Sequence, residues 1–186
     1  DALGSALLLV YFISGLIFTP LWVKISHKFG KHNALKYSAI YYIFAQVFIY
    51  FIPQNNFALA AIFVALVGLA YAAPLYLIRA MVADVSDEDK LVTGKDRTGM
   101  LFALVSLTSK LGYAFSVGIT YILLSKIGYD PKLGLTNSIN SIHGLELIFF
   151  IFPSLCQAIC AFLMVKYPLD LKRVEEVQAQ LNDKLK

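Results

Sequence analysis

The segment DVSDEDKLVTGKDR (residues 84–97) leads through Thr98 into GMLFALVSLTSKLGYAFSVGITYILLS (residues 99–125), and this junction decides how the chain is read. The first part is a dense run of charge. The second carries one charged side chain, Lys110, in an apolar stretch long enough to cross a bilayer as a helix. At about 1.5 Å rise per residue, Lys110 lies about 16 Å along that helix, near the middle of a hydrocarbon core about 30 Å thick. A lysine at that depth cannot easily snorkel out, and its charge costs about 2.5–3.5 kcal/mol on insertion scales. It is therefore expected to face protein or water and to mark a polar pathway.

Ser106, Lys110, Tyr113, Ser116 and Thr120 follow one another at steps of three and four, with Ser109 in the same arc. That is one helix face. Leu104, Leu107, Leu111 and Phe115 fall on the opposite side, which packs or meets lipid. Several hydroxyls and one ammonium can donate to many oxygens at once, which suits a polyhydroxylated or anionic ligand. A second reading pairs Lys110 with a carboxylate of another helix, while the hydroxyls bond back to their own helix or a neighbour.

Hydrophobic residues make up 59% of the chain and charged residues 15%, so a membrane protein is expected and a soluble domain is not. The net charge of +4 is gathered in particular loops and speaks for topology, not for nucleic acid. Expected spans cover about 6–23, 37–52, 57–83, 99–125 and 145–165, with a charged, helical cytoplasmic tail at 166–186. Lys24, Lys28, Lys31 and Lys36 mark the first inner loop, and Trp22 just before it is expected at headgroup level. PQNN at 53–56 and the segment 128–144 carry little charge and suit the outer side. Pro74 should kink the third span, and Arg79 near its inner end is expected to reach the headgroups. Cys156 and Cys160 read as small packing residues, since no partner stands at metal-ligand spacing.

The charged run lacks the alternating oxygen ligands and central glycine of an EF-hand, so no metal site is assigned to it. Asp84, Asp87, Lys95 and Arg97, with Lys28 and Lys31 of the first basic loop, are instead candidates for an ion-pair latch, a cytoplasmic gate made and broken between states. The plainer alternative is a solvated loop, because exposed pairs contribute only about 0–1 kcal/mol each. Five spans and a cytoplasmic C-terminus would put Asp1 outside, so at least one further helix is expected upstream.

YFISGLIFTPLWVKISHKFGKH (11–32), AMVADVSDEDKLVTGKDRTGMLFALVSLTSKLGYAF (80–115), IGYDP (127–131) and KYPLD (166–170) occur in that order. Together they make the chain resemble the C-terminal half of the glycoside-pentoside-hexuronide cation symporters, the melibiose-carrier-like branch of the major facilitator superfamily. The resemblance implies an all-α membrane protein: a polytopic helical bundle of about five transmembrane helices, the C-terminal half of a major-facilitator fold, in a bacterial inner (plasma) membrane. It further implies alternating access, with the solute bound between two halves near the midplane.

Lys110 in TSKLGYAF and Ser106 match a lysine and a hydroxyl residue that lie in or beside the family's sugar site. Tyr71 and Tyr76 are candidates for its aromatic sugar contact, which has no single counterpart here. Trp22, Gly30 and Lys31 are similar to the signature of the superfamily's basic loop. The coupling cation, Na+ or H+, is expected to bind mainly on the missing N-terminal half, and no cofactor is implied.

The expected function is that of a fragment of a cation-coupled symporter for a sugar, glycoside or similar small polar solute. Its partners would be that solute, the lipid bilayer and the missing half. The alternatives are a lysolipid or other amphipathic-solute carrier of the same superfamily, and a five-span structural subunit. An enzyme is not expected, because no span brings together a nucleophile and base or a set of metal ligands.

Overall fold

The computed structural model describes residues 2–50 and 56–184. The expected span residues 51–52, most of the PQNN turn and the last two residues of the tail lie outside the described residues. The elements are α1 (Ala2–Phe29), α2 (Lys31–Tyr50), α3 (Phe57–Gly68), α4 (Ala72–Thr93), α5 (Thr98–Lys126), α6 (Ile139–Val165) and α7 (Leu171–Lys184). A short 3-10 turn, Gly134–Thr136, precedes α6. The result is an all-α membrane bundle.

Leu3–Phe29, Phe57–Thr93, Thr98–Lys126 and Ile139–Val165 are long and apolar enough to cross a bilayer. The expected span at 37–52 ends in residues outside those described, and α2 holds its described part. It packs against α1, α3, α4 and α6, and it buries Ala34, Leu35, Ser38, Ala39, Ala45 and Gln46. Gln46 donates to the Phe149 carbonyl of α6 (3.3 Å). A helix with protein on so many sides can carry small and polar residues without presenting them to lipid.

α1 continues through Pro20 and Trp22 to Phe29, beyond the expected end near 23. Nothing in KISHKF breaks a helix, so its lysines form the last turns of α1. The chain then reverses in a single residue, Gly30, whose φ of 88° is open to glycine and strained for other residues. This corner, the 94–97 turn and the link from α6 to α7 meet at one end of the bundle, here called the basic end.

The kink expected from Pro74 falls one turn earlier, at 69–71, where α3 passes into α4. A proline ring crowds the carbonyl four residues before it, here that of Ala70. The ladder tightens accordingly: Ala70, Tyr71 and Ala73 donate to Val67, Gly68 and Ala70, three residues back. That leaves the Leu66 and Leu69 carbonyls short of their usual donors. Tyr41 of α2 donates its hydroxyl to Leu66 O (2.8 Å), and the Trp22 indole donates to Leu69 O (2.7 Å).

Trp22 is therefore not a headgroup anchor. It is 5% exposed and sits in a core with Ala34, Leu35, Ala73, Leu77 and Met81. Its indole N–H finds a backbone acceptor inside the bundle, which a bulky amphipathic ring needs if it is to be buried. Cys160 packs on the same core and both cysteines are free.

Just beside this junction α1 and α3 approach closely through Gly15 and Gly68. A Cβ on Gly68 would run into the Ser14 hydroxyl and the Tyr11 carbonyl, and one on Gly15 would lie 3.0 Å from the Gly68 carbonyl. Small residues of this kind let membrane helices touch along their backbones. Because backbone cannot step aside as a side chain can, Gly68→Ala should cost about 1–3 kcal/mol through overpacking. Thermal unfolding in detergent checks this. An unchanged midpoint would show that the helices separate without penalty.

Candidate functional site

Two sites take shape, a groove between α4 and α5 and a polar junction at the basic end. α4 buries Ala73, Leu77, Met81 and Asp84 against α1 and α2. That stripe forces Leu75, Ile78 and Arg79 onto the other side. α5 runs back antiparallel after the 94–97 turn, and the Ser86 and Thr98 hydroxyls, 2.5 Å apart, tie the two helices where they part. Between them lies a groove of about 470 Å3. Leu75, Ile78, Phe102 and Val105 line it, with Ser106, Ser109, Lys110, Tyr113 and Arg79 as its polar groups.

The groove thus brings together Lys110, Ser106 and Tyr113. Ser116 lies farther along α5, exposed and outside it. Tyr71 and Tyr76 are elsewhere. Tyr71 packs on Tyr11 and Phe12 of α1, with ring centroids 5.1 Å away in both cases, and Tyr76 packs on the Trp22 core. Arg79, expected among the headgroups, lines the groove with Lys110. The signal that places it is in the sequence: the Leu77, Met81, Asp84 stripe is the core face, and Arg79 is off it.

The hydroxyls are less free than their spacing suggests. Ser106, Thr108 and Ser109 donate to the carbonyls of Phe102, Leu104 and Val105 at 2.8–2.9 Å, each four residues back. Their protons are spent on their own helix, as in the plainer reading of the stripe. What they offer a ligand is oxygen lone pairs. Donors remain on the Lys110 ammonium, the Arg79 guanidinium and the Tyr113 hydroxyl.

At the basic end, Lys31 donates to both oxygens of Asp84 (2.6 and 2.7 Å), joining the start of α2 to α4. Asp84 is 6% exposed and Lys31 28%. Arg97 pairs with Asp89 across the α4–α5 turn (3.1 Å), and Lys90 with Asp96 (3.4 Å). The other latch candidates do not join them. The Lys28 ammonium lies over the Phe29 ring (5.3 Å), Lys95 is exposed, and Asp87 borders a cleft of about 520 Å3 between α4 and α7.

The charged tail is helical as expected, and this helix, α7, is docked on the bundle. Arg173 donates to Glu88 of α4 (3.1 Å), and Val177 is buried. In the linker ahead of α7, Tyr167 stacks on His32 at 5.8 Å between centroids. Tyr167, with Ser26, His27 and Asp170, borders a cavity of about 250 Å3 over the Lys31–Asp84 pair. The apolar repeat at Leu171, Val174, Val177 and Leu181 is the sequence signal of a packed helix.

Four helices long and apolar enough to cross a bilayer, with a cation-bearing groove and a charged junction at one end, belong to an integral multi-pass membrane protein. The match to the MFS/sugar transport protein family covers residues 1–171. The chain belongs to this family. It is 27% identical over 177 residues to a putative sulfoquinovose importer of Escherichia coli, covering 92% of this chain and 36% of that protein.

It is 22% identical over 191 residues to a glucuronide carrier protein homolog of the same organism, covering 99% and 40%. With a sodium-dependent lysophosphatidylcholine symporter of Danio rerio it shares 26% over 180 residues, covering 94% and 33%. The chain spans between 29% and 56% of the length of the curated relatives it matches.

The basic end generates two expected outcomes. Lys31→Ala leaves the Asp84 carboxylate buried without its cation and should cost about 3 kcal/mol or more. Asp84→Ala leaves a lysine that can reach water and should cost about 1 kcal/mol. Unfolding midpoints of both variants and the double variant test this asymmetry; equal losses would contradict it.

Burial and the nearby Lys36 charge, opposed by Asp170, lower the pKa of His32 from its usual 6.5. Below pH 6.5 the unfolded chain therefore binds more protons at this site than the folded one. Stability from the neutral stack is complete above that pH and declines as pH falls toward the folded-state pKa. Hydrogen exchange of 167–177 should quicken between pH 7.5 and 5.5 after correction for intrinsic rates. His32→Phe should remove the pH dependence.

Proposed function

We propose that the chain is the C-terminal helical half of a cation-coupled secondary transporter that moves a sugar, glycoside or similar small solute by alternating access. The observation that carries this reading is the α4–α5 groove, where the Lys110 ammonium, in the middle of an otherwise apolar helix, borders a cavity large enough for a small solute. The names of the relatives support transport of such solutes, and the shares of their length that the chain covers support a further helical half. In this reading, coupling to Na+ or H+ rests mainly on that half. The setting proposed is a bacterial inner membrane.

In this reading the Lys31–Asp84 pair, with Arg97–Asp89 and Arg173–Glu88, closes the basic end in one state and opens in the other. A lysolipid is the second candidate solute. The apolar side of the groove, Leu75, Ile78, Phe102 and Val105, would suit an acyl chain, and one relative is named for such a substrate.

The test is uptake of labelled glycosides and lysophospholipids by proteoliposomes containing the protein expressed from its complete reading frame, with and without Na+ and pH gradients. Lys110→Met should lower uptake of the accepted solute by at least about a hundredfold, as expected when a charge-assisted contact of about 3 kcal/mol to the solute is lost. Uptake that survives this substitution would overturn the assignment of the groove.

A further inference from the structure

We infer that α7 is a strap over the Lys31–Asp84 joint, and that protonation of the His32 ring releases it. The contacts involved are made wholly within this chain and are independent of which solute the groove takes. Tyr167 of the linker stacks on His32 at 5.8 Å between centroids. Leu169 and Val177 are buried, and Arg173 donates to Glu88 of α4 (3.1 Å). Beside these contacts lies the cavity of about 250 Å3. Ser26, Lys31 and Asp84 line it from the bundle, and Tyr167, Leu169 and Val174 close it from the linker and α7. Lifting α7 opens this cavity and lets water reach a carboxylate that is now 6% exposed.

His32 is placed to sense a proton. Its Nδ1 is buried without a hydrogen-bond partner among the described residues, close to the Gly30 corner, where a Cβ on Gly30 would lie 3.4 Å from it. A neutral ring fits this place by carrying its hydrogen on Nε2. The imidazolium has a hydrogen on both nitrogens, so protonation buries an N–H with nothing to donate to.

The charged and titratable groups around the ring are Lys36 on its own helix and Tyr167 and Asp170 of the linker. Lys36 opposes a charge on the ring and Asp170 favours it. The Asp170 carboxylate, however, already accepts the Arg173 N–H (2.8 Å) at the start of α7. A charged His32 that drew on Asp170 would take this cap from the first turn of the strap. On α4, Asp84 and Glu88 act on Tyr167, and they are held by Lys31 and Arg173.

The experiment follows thiol accessibility in the protein expressed from its complete reading frame, with its native cysteines, Cys156 and Cys160 among them, replaced by serine. Single variants carry Val177→Cys on the buried face of α7, Ser26→Cys in the cavity wall, or Gln180→Cys, exposed on α7. Maleimide labelling rates of the first two, each divided by that of Gln180→Cys, should rise in step between pH 7.5 and 5.5. The rise should be at least about threefold and at most about tenfold, since one group of ordinary pKa 6.5 supplies a factor of about ten over that interval. His32→Phe keeps an aromatic stack and should leave both ratios low and flat. Arg173→Gln weakens the strap without touching His32, and should raise both ratios at every pH while keeping their pH dependence.

Ratios that do not change with pH, or that fall as Asp170 tightens on the charged ring, overturn the inference. So does a rise that survives His32→Phe. A rise at Val177→Cys with Ser26→Cys still closed is a fraying helix and not a strap over the joint, and overturns it as well. None of these readouts involves Lys110, so the solute groove stands or falls separately.

Discussion

The hydrogen bond from the Trp22 indole to the Leu69 carbonyl holds the centre of this bundle. A long apolar helix that tightens around 69–71 leaves backbone acceptors without their usual donors four residues on, and in a membrane there is no bulk water to replace them. Two side chains from two other helices supply the donors, Trp22 from α1 and Tyr41 from α2. One local defect in the α3–α4 ladder thereby fixes where three elements meet. The rings also touch each other, at 6.2 Å between centroids, so the donors are oriented by packing as well as by their acceptors.

That junction sets the direction in which α4 points its side chains. Once Ala73 and Leu77 are locked beneath Trp22, the helix period puts Asp84 over the basic corner and Arg79 on the far side. α5 is then held near its ends, by Thr98 against Ser86 and by Ile127 against Ser141 and Gly144. Along its middle it is exposed, with Leu124 its only buried residue among those described. A helix pinned in this way leaves room beside α4 for a groove at half height.

Much of this is legible in the sequence. The α5 stripe, the apolar lengths and the clustered lysines are periodic or compositional signals that need no tertiary information, and they locate Lys110 and the membrane class. Trp22 misleads because an aromatic beside a lysine cluster usually marks an interface, and nothing local reveals an acceptor 47 residues away. Arg79 misleads because its distance from the helix end suggests the headgroups, whereas its angle around the helix decides where it goes. The hydroxyls of Ser106 and Ser109 count as donors by spacing alone, since spacing gives the face a side chain lies on and is silent on where its proton goes.

The contrast between the two charged sites comes from how each charge is compensated. Asp84 is buried with its cation in bidentate contact, so it is settled within the chain and can serve as a joint. Lys110 and Arg79 border a cavity with no residue of opposite sign among those that line it. A cation in an apolar span is costly unless a charge on a neighbouring helix, a backbone carbonyl, water or a ligand compensates it. A compensated pair resists change until a competitor for its partner arrives, while a cation that borders a cavity is open to a solute. The first arrangement suits a gate and the second suits a binding site, and the two are linked through α4, which carries both Asp84 and Arg79 on one rigid helix.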